Sequence, residues 1–265
     1  GEKLDSSTYG WLNELLQVPV IDHWWQTETG WPMTSPMQGW PDPSQPRLGS
    51  TNKAVPGYDI RVVDGDGNEV GPNESGNIVV SLPMPPGVAW DIWNQSQRFV
   101  DSYLTAFEGY YHTGDGGFID EDGYVVITGR TDDVINVSGH RLSTGEMEEV
   151  VSSHAAVAEC AVIGANDSMK GQIPVGLIVL KAGVEVDEAE LEKELVAMVR
   201  EQVGALACFR RAVVVQRLPK TRSGKILRAV LRKIAANEEY KMPSTIDDEA
   251  ILPEITDMMK GSGLI

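Results

Sequence analysis

Cysteine is almost missing from this 265-residue chain, which has only Cys160 and Cys208. The two share no metal-like spacing and are too few for a disulfide framework. Their scarcity suits buried thiols in a reduced, cytoplasmic protein. Long apolar runs are missing too. The longest, Ile173 to Leu180 (IPVGLIVL), has eight residues, which fits a buried strand and falls far short of the roughly 20 residues of a membrane helix. The chain opens GEKLDSSTYG, with no initiator Met, basic start or apolar segment, so no export signal is expected. Bases are scarce: the net charge is −17, which argues against general nucleic-acid binding, since that needs a basic face. There is no internal repeat and no low-complexity tract.

Hydrophobic residues make up 42% of the chain and charged residues 23%, the composition of a folded protein with one large domain or two ordinary ones. The charge is uneven. Residues 1–131 carry a net −12 and residues 132–265 a net −5, and between Gln202 and Asn237 there are nine bases and no acid. A basic island in an acidic protein suggests an anionic partner; a solvated helix face is the alternative.

The pattern changes near residue 131. Before it, DIRVVDGDGNEV reads as two strand segments around a turn at Asp64 to Asn68, and GNIVVSL and GYVVITG as further β-branched strands. A small, mostly antiparallel sheet or barrel is predicted. After it, Ser143 and Glu146 are spaced as a capping box for a helix to about His154. ECAVIG, PVGLIVL and RAVVVQRL read as strands. Asp187 is placed to cap a helix with Leu191, Leu195, Met198 and Val199 on one face, and KILRAVLRKIA reads as a basic amphipathic helix. From Pro243 onward a polar tail with at most a short closing helix is expected.

Four segments carry chemistry. In DHWWQTETG (Asp22 to Gly30) Trp24 and Trp25 stand beside Thr27 and Glu28. They are either two packed indoles or a pocket wall next to a metal-binding carboxylate. In YYHTGDGGFIDEDGY, Asp115 lies between glycines that let a ligand approach the backbone. A carboxylate there can accept a ribose diol, although Gly-Asp turns are common without one. GRTDDVINVSGHRLS holds Arg130 and Arg141, candidates for bidentate contacts to phosphate or ribose oxygens. KTRSGKI, Lys220 to Ile226, lacks the leading glycine and the Ser/Thr of a Walker loop. Its Lys225 reads as a mobile cation at the tip of a glycine loop.

Taken in this order, the segments resemble the C-terminal part of the adenylate-forming acyl-CoA synthetases, and within them the acetyl- and propionyl-CoA synthetases. LPMPPG and DDVINVSGHRLS lean towards the propionate branch. The resemblance implies α/β and α+β architecture: residues 1–131 as the C-terminal portion of the large adenylation domain with its β-rich subdomain, and 132–265 as a small, mobile α+β domain. It implies ligation of acetate or propionate to CoA through an acyl-adenylate, using ATP and Mg2+. Residue by residue, Gly1, Glu2 and Lys3 match the segment beside the adenine, and Asp22, His23, Trp24, Trp25, Gln26 and Thr27 the nucleotide and acyl pocket. Trp25 matches the wall that keeps the acyl pocket short, and Glu28 a magnesium-associated carboxylate. Asp115 matches the ribose ligand, with Arg130 assisting and Arg141 near the phosphates. Lys225 matches the family's catalytic lysine.

The same resemblance makes Asp132 a hinge, and Ser138, Gly139 and Arg200 contacts of CoA. It implies small-molecule partners, with no nucleic acid and no membrane, in the cytoplasm or a mitochondrial matrix. It also makes Lys225 a target of lysine acyltransferases and deacylases. The family's Ser/Thr/Gly-rich phosphate loop is not in these residues, so the chain reads as a fragment that is inactive alone. Two further readings are an adenylation module that loads a carrier protein and a non-catalytic relative.

Overall fold

Runs of valine and isoleucine punctuated by glycine set up the first sheet. In the computed structural model, which describes residues 4–40 and 45–265 and gives Arg141 by its backbone only, the chain forms two units. One ends at Asp132 and the other runs from Asp133 to Ile265.

The first unit is built on an antiparallel sheet in the order β1 (Ile60–Val63), β2 (Gly76–Ser81), β3 (Tyr110–Ile119) and β4 (Val125–Arg130). Ile78, Val79 and Val80 of β2 are all buried, so both faces of this strand are covered. Ile60, Val62, Ile78, Val80, Tyr111 and Val125 pack with Trp24 and Met33. The turn after β1 closes on Asp64, whose Oδ1 accepts from the N–H groups of Asp66 at 2.8 Å and Asn68 at 3.0 Å, the local capture that aspartate offers in turns. Its return arm is a single bridge, Val63 to Glu69, rather than a full strand. Two helices lacked a sequence signal. Helix α1 (Ser6–Leu16) is capped by Asp5 and buries no residue, and α2 (Ser96–Tyr103) buries only Phe99, so neither shows a broad apolar stripe.

The second unit has a mixed sheet covered on both faces. A short hairpin, β5 (Ile135–Val137) and β6 (His140–Leu142), adjoins the long antiparallel pair β7 (Val157–Asp167) and β8 (Gly171–Leu180), and β9 (Arg211–Val214) pairs parallel with β8. Strand alternation divides the side chains. Val162 and Ile178 face a core with α3 (Thr144–Ser152) and α4 (Glu188–Gln202). Ala161, Ile163 and Leu177 face another with α5 (Arg228–Ala235) and α6 (Ile251–Gly261). Asp187 caps α4 through bonds from the N–H groups of Ala189 and Glu190. Ser143 stands at the N-cap of α3, but its side chain makes no cap hydrogen bond, so the expected capping box does not form.

Two expectations are corrected here. Helix α5 begins at Arg228, because Lys220 to Ile226 form a hairpin. The end of the chain is no polar tail: α6 has eleven residues and buries Ile251, Leu252, Ile255 and Met259. Pro253 sits in its first turn, where a missing N–H costs nothing. Among the described residues, no helix is long and apolar enough to cross a membrane.

Leu252 is fully buried, so Leu252→Ala should destabilise the protein by about 2–5 kcal/mol. Urea unfolding followed by circular dichroism measures this; an unchanged midpoint would mean that α6 is not part of the core.

Candidate functional site

Asp115 lies on β3 opposite Arg130 on β4 and is 8% exposed. Its Oδ2 accepts from Trp24 Nε1 at 3.1 Å and from Gln26 Nε2 at 2.7 Å. Arg130 Nη1 reaches Oδ1 at 3.4 Å and the Thr113 carbonyl at 3.0 Å, and Arg130 Nε donates to Asp132 at 3.1 Å. Oδ1 therefore keeps acceptor capacity for further donors such as a diol. Burial pushes the Asp115 carboxyl above its ordinary range, against Arg130, Gln26 and Trp24, which favour the ionised form.

Gln26 is saturated. Its amide also donates to the Thr113 carbonyl at 2.7 Å, and its oxygen accepts from the Tyr111 hydroxyl at 3.0 Å. Tyr111 stacks on Tyr103, with centroids 5.3 Å apart, and the Tyr103 hydroxyl donates to Glu28 Oε1 at 2.5 Å. Burial, helped by Glu28, pushes the Tyr103 phenol up to about 12, so it remains a donor at neutral pH. One continuous set of contacts thus joins Glu28 to Asp115. Gly114 makes room for it: at φ +70°, a Cβ there would lie 2.5 Å from Arg130 Nη2.

The two tryptophans part company. Trp24 is packed in the core, while Trp25 is 48% exposed, as a side chain available to a ligand must be. His23 and Thr27 are exposed and Asp22 is half-buried, and among the described residues neither His23 nor Thr27 bonds to Asp115. Among the described residues no cluster of three or more His, Cys, Asp or Glu could hold a metal. Glu28 alone fits Mg2+ only in the usual arrangement of one carboxylate with substrate phosphates and water.

The other candidates lie in the second unit. Ser138 (φ +51°) and Gly139 (φ +86°) form the two-residue turn of the β5–β6 hairpin, the left-handed pair that a type I′ turn demands. Lys225 is exposed at the end of a tight turn: Gly224 N–H donates to the Thr221 carbonyl at 2.8 Å, and Thr221 N–H to the Lys225 carbonyl at 2.8 Å. That turn is braced from outside, since Arg222 N–H donates to Thr245 at 3.0 Å and Asp247 N–H to Lys220 at 2.9 Å. Arg200 is exposed in the last turn of α4. Gly1, Glu2, Lys3 and the Arg141 side chain lie outside the described residues.

The sequence model described as "AMP-binding enzyme" matches residues 1–89, and that of the "AMP-binding enzyme C-terminal domain" matches residues 146–225. The chain belongs to the AMP-binding enzyme family. Over 96% of its length it is 63% identical to an uncharacterised protein of Pseudomonas aeruginosa, covering 40% of that protein. It is 44% identical over 98% of its length to human mitochondrial acyl-CoA synthetase short-chain family member 3, covering 38% of it. To the propionate–CoA ligase of Escherichia coli it is 42% identical over 98%, covering 42%. The chain thus spans about two fifths of the length of these curated relatives. A crystal structure of an anthranilate CoA ligase with anthranoyl-AMP superposes with a TM-score of 0.76 at 31% identity, over 89% of this chain and 44% of that one.

In this family member, sequence reading missed Tyr103, which reaches Glu28 from 75 residues away. Its helix gives no signal for such a contact. Tyr111 and Thr113 lay within the YYHTGD stretch already singled out by Asp115, but no role followed from their spacing.

Gly114→Ala should displace the Arg130 guanidinium and destabilise the first unit by about 1–3 kcal/mol, since it combines a left-handed φ with a clash; thermal melting checks this. The raised Asp115 carboxyl means that the folded state holds this proton more tightly than the unfolded chain. Its stabilising contribution is full at low pH and declines as pH rises from the ordinary aspartate value of about 3.9. Asp115→Asn cannot ionise, so its melting temperature should gain on the wild type as pH rises from there to neutrality. A difference that stays constant with pH would contradict the assignment.

Proposed function

We propose that the protein carrying this chain is an AMP-forming acyl-CoA synthetase for a short-chain carboxylate, propionate or acetate. A carboxylate oxygen attacks the α-phosphorus of ATP and pyrophosphate leaves. The CoA sulfur then attacks the acyl carbon, AMP leaves, and the thiol proton passes to solvent. The observation that carries the reading is the buried Asp115 carboxylate, oriented by Trp24, Gln26 and Arg130 with Oδ1 left to accept, in a chain 42% identical to a propionate–CoA ligase.

On this reading Asp115 takes the ribose hydroxyls and Arg130 assists. Gly1, Glu2, Lys3, Asp22 and His23 adjoin the nucleotide, and Arg141 its phosphates. Thr27 offers its hydroxyl to a phosphate, and the exposed Trp25 indole closes the acyl pocket. Mg2+, held by Glu28 with the phosphates, neutralises charge on the phosphoryl oxygens. Lys225 brings a fixed cation to the carboxylate and α-phosphate, where charge develops. Residues 1–131 form part of the large domain, and 132–265 form a domain that turns about Asp132 so that Lys225 serves adenylation and Ser138, Gly139 and Arg200 serve CoA. The phosphate loop lies outside this sequence, so the chain alone does not make adenylate. A cytoplasmic or mitochondrial-matrix setting fits both the thiols and the mitochondrial relative. Acylation of the exposed Lys225 would remove its charge and silence the first step.

The complete protein, given ATP, CoA and acetate, propionate or butyrate, should release pyrophosphate and form the thioester; no CoA-dependent product from any of the three sinks the reading. Lys225→Ala should lower adenylation at least 100-fold while sparing thioester formation from supplied acyl-adenylate. Equal loss of both steps contradicts the division of labour. Trp25→Gly should shift the preference towards longer acids, read from kcat/KM across a chain-length series.

A further inference from the structure

Helix α2 contributes little to the core, since it buries only Phe99. Its last residue, Tyr103, makes a specific contact instead. The ring packs against Phe99, with centroids 5.2 Å apart, and stacks on Tyr111 at 5.3 Å. Its hydroxyl donates to Glu28 Oε1 at 2.5 Å. The main chain of Glu28 is held from the same stretch, because the Ala89 N–H donates to its carbonyl at 2.6 Å. Residues 89–103 thus fix both the backbone and one carboxylate oxygen of a residue far earlier in the chain.

Glu28 is half-buried. Among the described residues no Lys, Arg or His nitrogen lies within 4.0 Å of its carboxylate, and Oε2 accepts no hydrogen bond. The two guanidinium groups whose charge reaches Tyr103 are turned elsewhere, Arg98 to Gln95 and Arg130 to Asp115 and Asp132. A carboxylate partly out of water with no cation beside it carries charge that the protein leaves unmet. A lysine or arginine in place of Tyr103 would cancel that charge and compete with an incoming cation. A neutral phenol donates one hydrogen bond and leaves the charge in place. Hydrogen bonds to a ligating carboxylate fix its direction and tune its hold on a metal. With Oε1 engaged, Oε2 is the oxygen left for a divalent ion that completes its shell with phosphate oxygens and water.

The ring and the hydroxyl of Tyr103 act on different groups. The ring supports Tyr111, whose hydroxyl donates to Gln26 Oε1 at 3.0 Å, and Gln26 in turn donates to Asp115. The hydroxyl reaches Glu28. Removing the hydroxyl alone therefore separates the two carboxylates.

We propose that Tyr103 is a positioning residue, whose hydroxyl holds Glu28 by Oε1 and leaves Oε2 to the divalent cation that accompanies a nucleoside triphosphate; this rests on the ATP-dependent reading above. In the complete protein, calorimetry gives the affinity for adenosine 5′-(α,β-methylene)triphosphate with and without Mn2+, and for AMP without metal. Mn2+ should tighten the wild-type affinity for the triphosphate. Tyr103→Phe, which keeps the ring, should cut that Mn2+-dependent gain about tenfold and leave the affinity for AMP as in wild type, since Asp115 keeps its donors. Glu28→Gln should lose at least as much of the gain, and adding Tyr103→Phe to it should remove nothing more.

A merely structural role for Tyr103 would weaken both nucleotides equally. That result, an undiminished Mn2+ gain in Tyr103→Phe, or a further loss in the double variant overturns the proposal, and so does a wild type whose affinity Mn2+ leaves unchanged. If the wild type shows the Mn2+ gain but forms no thioester with any acid, the synthetase reading fails, and the same titrations still decide the role of Tyr103.

Discussion

Asp115 is a carboxylate taken out of water in the middle of a β-strand, and such a group survives only where donors meet it. Trp24, Gln26 and Arg130 supply those donors, and each is itself fixed by what surrounds it. Trp24 is packed in the core. Gln26 has its amide nitrogen and its oxygen engaged. Arg130 lies over a glycine that leaves it space. The requirement to satisfy one buried charge therefore sets the rotamers of its neighbours, and through Tyr111 and Tyr103 it reaches Glu28. A carboxylate held in this way is preorganised, and on the proposed reading that spares the cost of reorienting these groups when a ligand arrives.

The second unit solves a different problem. Its sheet is apolar on both faces, so helices must cover both, and the last of them is α6. The chain segment leading into α6 also braces the Lys225 turn through Thr245 and Asp247, while Arg217 ties the approach to that turn to Asp248 and Glu254. An exposed lysine is thus carried on a turn whose backbone is closely tied down. The Lys225 side chain itself is exposed.

The same unit gathers cations in two ways. Most of the basic island from Gln202 to Asn237 is spent on internal ion pairs, as with Arg217, Arg228 and Arg232. These look alike in sequence to Arg210, which has no such partner among the described residues. Only the partners, supplied by α3, α6 and the chain just after Asp132, separate structural from available charge.

Much was legible in the sequence because local physics carried it. β-Branched runs bounded by glycine marked β2, β4, β7 and β8, Asp187 marked the start of α4, and TGD and KTRSGKI, taken with the other segments in order, made Asp115 and Lys225 candidates. Signals that depend on distant partners were silent or misleading. Serine and glutamate three apart suggested a capping box that does not close. The charged residues around α6 hid the four side chains it buries, and Tyr103 gave no hint of Glu28. The sequence by itself determined several of the strands, the start of α4 and which residues are candidates for chemistry, since spacing and side-chain type act over a few residues. Only the tertiary structure decided which tryptophan is core and which is free, which carboxylate oxygen stays open and which cations lack partners, because each depends on groups tens of residues away in the chain.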